Sequence, residues 1–88
     1  MATTPGRRIY PDAEGRLSFA PGDYGKGQDG VWRARAPGDG TTMGSLKDHQ
    51  VTEHEDGTIT VSLSLLLEPT VKLKGWHGYL ERGVWREC

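Results

Sequence analysis

The sequence predicts a small all-β domain of antiparallel hairpins, with about five to seven short strands and little or no helix. Three observations lead there. Thirteen glycines and five prolines in 88 residues break the chain too often for long helices and suit tight turns. Apolar and polar residues alternate in several stretches, as in VWRARA (31–36) and ITVSLSL (59–65), which is the period of a strand with one buried face. No segment of useful length carries the 3.6-residue apolar repeat of an amphipathic helix.

Residues 1–30 hold six of the glycines and three of the prolines. They read as a Gly/Pro-rich, partly ordered N-terminal arm ahead of a small β domain over 31–88. Short strands are expected at 8–10 and 17–20, with PGDYGKGQDG (21–30) as a loop. The 31–36 stretch is the first clear strand. PGDG (37–40) is turn chemistry, and 41–46 can return as the partner strand. Asp56–Gly57 suggests a two-residue hairpin turn, because glycine accepts positive φ without a Cβ clash. That turn would set Glu55 opposite Thr58, His54 opposite Ile59, Glu53 opposite Thr60 and Val51 opposite Ser62. Ile59, Val61, Leu63 and Leu65 would then share an apolar face of one strand over 58–67. His54 would lie on that apolar side, with His49 on the other.

GWHGYLERGVWREC (75–88) closes the chain with a second hairpin, turning at Arg82–Gly83. A two-residue loop there pairs Glu81 with Val84, Leu80 with Trp85, Tyr79 with Arg86, Gly78 with Glu87 and His77 with Cys88. Trp76, Leu80 and Trp85 fall on one face and feed a core. His77, Tyr79, Arg86 and Cys88 fall on the other.

Size and charge bound the function. A chain of this length buries only about 60% of its unfolded surface, so a metal or a partner would help it. The net charge is −1, spread with no basic half, so a general pull toward nucleic acid is not expected. MATTPGRR (1–8) lacks the apolar stretch of a signal peptide. Leu65–Leu67 is far shorter than the roughly 20 apolar residues of a membrane span. A single cysteine, Cys88, cannot form an internal disulfide. These features favour a cytosolic protein with no membrane association.

Several side chains could carry chemistry. His77 and Cys88, as opposed residues, have Cβ atoms roughly 4.5–5.5 Å apart and could share a zinc ion, with His54 or His49 completing the site. No zinc-finger spacing accompanies them. A Cys88–His77 dyad would place a nucleophile at the fraying end of the chain, which disfavours an enzyme. Glu53, Glu55 and Asp56 lack the ligand pattern of a calcium loop and read as solvated turn carboxylates. GKG (25–27) lacks P-loop spacing. Arg7, Arg8, Arg33 and Arg35 could contact phosphates with Trp32 stacking on a base, against the near-neutral charge. Trp76 and Trp85 are expected in the core. Trp32, the turn at 53–57, and Tyr79 stacked on Arg86 are the expected protein-contact residues.

LKDHQVTEHEDGTITVS (46–62) and GWHGYLERGVWREC (75–88) together resemble a family of small uncharacterised bacteriophage and prophage proteins. Its members share an EHEDGTITV block and a WHGYLERGVW tail, and the resemblance covers about the last half of the chain. The tail is more distantly similar to a bacterial domain of unknown function that ends in a histidine, an aromatic hairpin and a cysteine. His77, Gly83, Trp85 and Cys88 match that pattern, whereas the further cysteines that suggest a metal there are missing here. The phage family tends to have SPSI where this chain has SLSL (62–65); Leu63 thus removes a proline that would block pairing at a strand edge. The resemblance implies a phage-encoded accessory protein that binds a host or phage protein in the host cytoplasm, without enzymatic activity. The alternative is an oligomeric or metal-stabilised virion component, pairing between chains through strand 58–67.

Overall fold

A computed structural model describes residues 3–88. Its described residues form ten short strands and no helix, so the all-β expectation holds with more and shorter strands than the sequence suggested. In chain order they are β1 (Thr3–Pro5), β2 (Arg7–Arg8), β3 (Asp23–Lys26), β4 (Trp32–Arg35), β5 (Met43–Ser45), β6 (Val51–Glu53), β7 (Ile59–Val61), β8 (Leu65–Leu67), β9 (Trp76–Glu81) and β10 (Val84–Glu87). One four-stranded sheet has the order β1-β10-β9-β8, a second the order β2-β3-β4-β5, and β6 pairs with β7 alone. All pairings are antiparallel except β2 with β3.

Between β1 and β2 the chain passes from one large sheet to the other through one residue, Gly6. Its N–H donates to the Gly83 carbonyl at 2.7 Å. A Cβ there would stand 2.8 Å from both that carbonyl oxygen and Trp85 Nε1, so only glycine fits without displacing backbone. Trp85 joins the sheets from inside. It is buried, its indole N–H donates to the Gly22 carbonyl at 2.9 Å, and its ring meets Trp76 edge-on at 5.1 Å and 87°. Burying two indoles this way, with one polar handle satisfied, gives a short chain much of its core area. Tyr24, Ala34, Leu46, Ile59, Leu65 and Leu80 fill the rest.

The N-terminal stretch is more structured than expected. PGDYGKGQDG is not a loop: Asp23–Lys26 is β3, and it pairs with β4 across the boundary drawn at residue 30. The strand expected at 8–10 is only Arg7–Arg8, and 17–20 forms none. Tyr24 is 1% exposed, and Asp23 accepts both Arg7 guanidinium bonds (3.2 and 2.9 Å) and the Ala20 N–H at 3.0 Å. The strand over 31–36 and its return appear as β4 and β5, paired Arg35 to Met43 and Arg33 to Ser45.

The two hairpins with X-Gly turns differ. The C-terminal one has the expected register, Val84 to Glu81 through Glu87 to Gly78, and Cys88 N–H reaches the His77 carbonyl at 3.1 Å. Arg82 and Gly83 both have positive φ, 47° and 77°, as a type I′ turn requires. The first hairpin is corrected by one residue. Val51 pairs with Val61, Thr52 with Thr60 and Glu53 with Ile59. Gly57 alone takes positive φ, 88°. Its N–H bonds the His54 carbonyl at 3.0 Å, and His54 N–H bonds Thr58 at 2.8 Å. The loop is therefore Glu55-Asp56-Gly57, the three-residue kind. Asp56 holds the Thr58 N–H (3.0 Å) and hydroxyl (2.6 Å), which keeps it out of the left-handed region that a two-residue turn demands. The slip turns every β6 side chain over. His54 leaves the expected apolar side for the Thr58–Thr60 side, and Glu53 joins Ile59.

The single strand expected over 58–67 is also corrected. It breaks at 62–64, where Leu63 has φ 65° and is 82% exposed. Its halves belong to different pairings, β7 with β6 and β8 with β9. Ile59, Val61 and Leu65 are buried as expected; Leu63 is not.

Candidate functional site

The outer face of the β1-β10-β9-β8 sheet collects the tail residues. Strand alternation sends Trp76, Gly78, Leu80 and Trp85 inward and His77, Tyr79, Glu81, Val84 and Arg86 outward. Tyr79 and Arg86 are directly opposed, and the guanidinium lies 4.8 Å from the ring centroid. Arg86 Nη2 also pairs with Glu81 Oε1 at 2.7 Å. The guanidinium is thus held on one flank by a ring and on another by a carboxylate, with both anchors on rigid strands. Thr3 on β1 lies opposite Arg86, and Leu66 on β8 lies opposite His77.

His77 and Cys88 are neighbours across the β9–β10 ladder, and both are exposed. The remaining expected zinc ligands are not brought to them. His54 sits at the 54–58 loop with Nε2 2.7 Å from Thr60 Oγ1, a hydroxyl that also accepts the Arg82 N–H at 3.0 Å. His49 Nδ1 approaches the Ser62 carbonyl at 3.5 Å. Among the described residues no three His, Cys, Asp or Glu side chains converge into a metal-holding group.

Glu53, His54, Glu55, Asp56 and Arg82 line an open hollow of about 450 Å³. Its carboxylates have separate tasks. Glu53 pairs with Arg8 at 3.0 Å. Asp56 binds Thr58, whose hydroxyl and N–H, helped by the nearby His54, hold the Asp56 carboxyl below the usual carboxylate range.

Arg8 organises a cluster that sequence reasoning missed. Its guanidinium lies between two rings, 4.6 Å from the Tyr10 centroid and 4.7 Å from that of Trp32. Nη1 bonds both Glu53 Oε2 (3.0 Å) and the Gly57 carbonyl (2.9 Å). The side chain is 14% exposed, and its Nε has no protein partner. The cluster ties β2 and β4 to the β6–β7 hairpin and unites two expected contact residues, Trp32 and Glu53. It also uses Trp32: one face of the half-buried ring is covered by the guanidinium. The detectable signal was that arginine, tyrosine and tryptophan occur near strand ends. The register that brings them together depends on the parallel β2–β3 pairing, which nothing local announces.

The other arginines weighed for phosphate binding are likewise engaged. Arg7 pairs with Asp23 in a two-bond fork. Arg33 pairs with Asp29 at 3.0 Å, which raises the arginine and lowers the carboxyl from their ordinary values. Arg35 donates to the carbonyls of Phe19 (3.0 Å) and Thr41 (3.2 Å). All four guanidiniums considered for phosphate contact have partners within the chain, and the Arg7 side chain remains 69% exposed. No protein-family model, curated protein or solved structure matches this chain.

Proposed function

We propose that this protein is a non-enzymatic protein-binding module, an accessory protein of phage type that redirects or inhibits a host protein in the host cytoplasm. The outer face of the β9–β10 hairpin is its contact surface. The supporting observation is the Tyr79–Arg86 stack at 4.8 Å, steadied by Glu81 at 2.7 Å. Tyrosine and arginine are the residue types that dominate binding energy at protein interfaces. Here they are already ordered, so a partner meets them with little side-chain entropy left to lose. Val84, 40% exposed beside them, adds apolar surface. Trp32 and the 53–57 turn support this face indirectly, through Arg8 and the folded core.

The test is affinity capture from host lysate by the wild type and by a Tyr79→Ala/Arg86→Ala variant with unchanged circular dichroism. The expected result is a discrete, stoichiometric partner that the wild type retains and the variant loses. Equal capture by both proteins would show that another surface binds.

A further inference from the structure

The β1-β10-β9-β8 sheet ends at β8, and the direction of the β8 backbone groups follows from the ladder. Cys88 N–H donates to the His77 carbonyl at 3.1 Å. In an antiparallel ladder alternate residues bond to opposite sides. His77, Tyr79 and Glu81 therefore turn their backbone groups toward β10, while Trp76 and Gly78 turn theirs toward β8. With Leu65 opposite Gly78 and Leu67 opposite Trp76, β8 bonds to β9 through Leu65 and Leu67. The N–H and C=O of Leu66 point the other way, off the sheet.

Edge strands are usually protected by a charge, a proline or a bulge. β8 has none of these: it is Leu65-Leu66-Leu67. Leu66 is 63% exposed, Leu63 is 82% exposed, and Val71 and Leu73 stand out of the loop that follows. Four of the seven exposed large apolar residues among the described residues lie within 63–73. The chain thus concentrates unshielded apolar surface beside an unpaired backbone edge.

We propose that this edge receives a second copy of the same chain, β8 pairing antiparallel with β8 of the other copy about a two-fold axis at Leu66. The segment is self-complementary in that register. Leu66 faces Leu66, where the two residues exchange both backbone hydrogen bonds; Leu65 faces Leu67; and Ser64 faces Glu68, a hydroxyl against a carboxylate. All five residues from 64 to 68 find a partner, and no like charges oppose each other. An axis at Glu68 would set two carboxylates face to face. An axis at Ser64 would run the pairing into the left-handed bend at Leu63. The contact is isologous and closes after two copies, joining the two four-stranded sheets into one of eight. The pairing runs through the backbone edge of β8, and the variants below leave Tyr79 and Arg86 in place.

Analytical ultracentrifugation over a wide concentration range tests it. The wild type is expected to pass from monomer to dimer, and the Leu66 amide to gain hydrogen-exchange protection as concentration rises. Leu66→Lys puts two like charges at the axis, and Leu66→Pro removes the N–H while remaining acceptable to an edge strand; both are expected to stay monomeric. If Leu66→Pro fails to fold, Leu66→Lys and the wild-type exchange data carry the test. A wild type that remains monomeric at every concentration overturns the proposal. So does a Leu66→Lys protein that dimerises like the wild type, or a dimer in which the Leu66 amide gains no protection.

Discussion

Replacing Arg8 by alanine removes the centre of the cluster that ties β2 to the β6–β7 hairpin, and its cost can be worked from the contacts. A guanidinium on an exposed ring contributes about 0.5–1 kcal/mol and on a desolvated ring about 2. Tyr10 is 66% exposed, so its share lies at the low end, and half-buried Trp32 stands in between. The charged hydrogen bond to the Gly57 carbonyl contributes about 1.5 kcal/mol. The Glu53 pair adds only about 0.5 kcal/mol, because that carboxylate side is 48% exposed and screened. Against these stands Nε, buried without a protein partner, whose removal returns about 1 kcal/mol. The net expectation is a loss of about 2–3 kcal/mol, or roughly 10–20 °C in Tm for a domain this small.

Urea unfolding followed by tryptophan fluorescence measures it. The partition among contacts has its own test, since Arg8→Lys keeps the charge but not the flat surface that lies between two rings. The lysine variant should recover well under half of the loss, and added salt should change the alanine variant's deficit little. A deficit below about 0.5 kcal/mol would refute this bookkeeping. A deficit that disappears in high salt would transfer the stabilisation to the Glu53 ion pair.

Two other perturbations test the hairpins. Gly83→Ala should destabilise by more than about 2 kcal/mol, because position 83 needs φ 77° and a Cβ there would stand 2.7 Å from the Tyr24 hydroxyl and 2.9 Å from Thr58 Cγ2; the midpoint of urea unfolding checks it. Asp56→Asn should flatten the acid limb of stability. The Thr58 hydrogen bonds hold the folded-state Asp56 carboxyl below its ordinary value of 3.8, so its contribution is present above that value and is lost as pH falls through the lower folded-state pKa. The gap in Tm between wild type and Asp56→Asn should therefore shrink on acidification below 3.8, and a gap that is constant with pH would contradict the Thr58 hydrogen bonds as its source.

Much of the C-terminal half was legible because its determinants are local. Alternation placed Trp76, Leu80 and Trp85 on one face, and Arg82–Gly83 fixed the register that brings Tyr79 onto Arg86. The same rule failed at Asp56–Gly57, and the reason lies in one side chain. Asp56 has Thr58 two residues ahead to bind through both N–H and hydroxyl, so it stays at negative φ and leaves Gly57 as the only left-handed residue. Arg82 has no such local acceptor role. Its turn is also fixed from outside, by Gly83 N–H on the Ile59 carbonyl at 3.0 Å. An Asp-Gly-Thr sequence thus carries a readable bias toward the longer loop, through the Asx geometry that competes with the two-residue turn.

The N-terminal half was illegible for a different reason. Nothing in PGDYGKGQDG signals that Tyr24 is a core residue, because what buries it is remote: Ala34 beside it on β4, Arg8 beside it on β2, and Gly83 above its hydroxyl. Its glycines serve close approach as well as turning. Gly25 lies where a Cβ would stand 2.9 Å from the Ile9 carbonyl, so glycine content that looked like disorder is partly the means of packing backbone on backbone. The same distinction governs the arginines. Read along the chain, Arg7, Arg8, Arg33 and Arg35 could contact phosphates, against the near-neutral charge; folded, each holds an acidic or carbonyl partner, and Arg8 also covers Trp32. A guanidinium enclosed by the fold, as Arg8 is, stabilises, whereas Arg86 stacks on the outward side of a sheet whose inner side is already filled by Trp85. That asymmetry between two arginine–aromatic stacks, one enclosed and one facing out, is the physical ground for proposing recognition at the C-terminal hairpin and for expecting a stability role at Arg8.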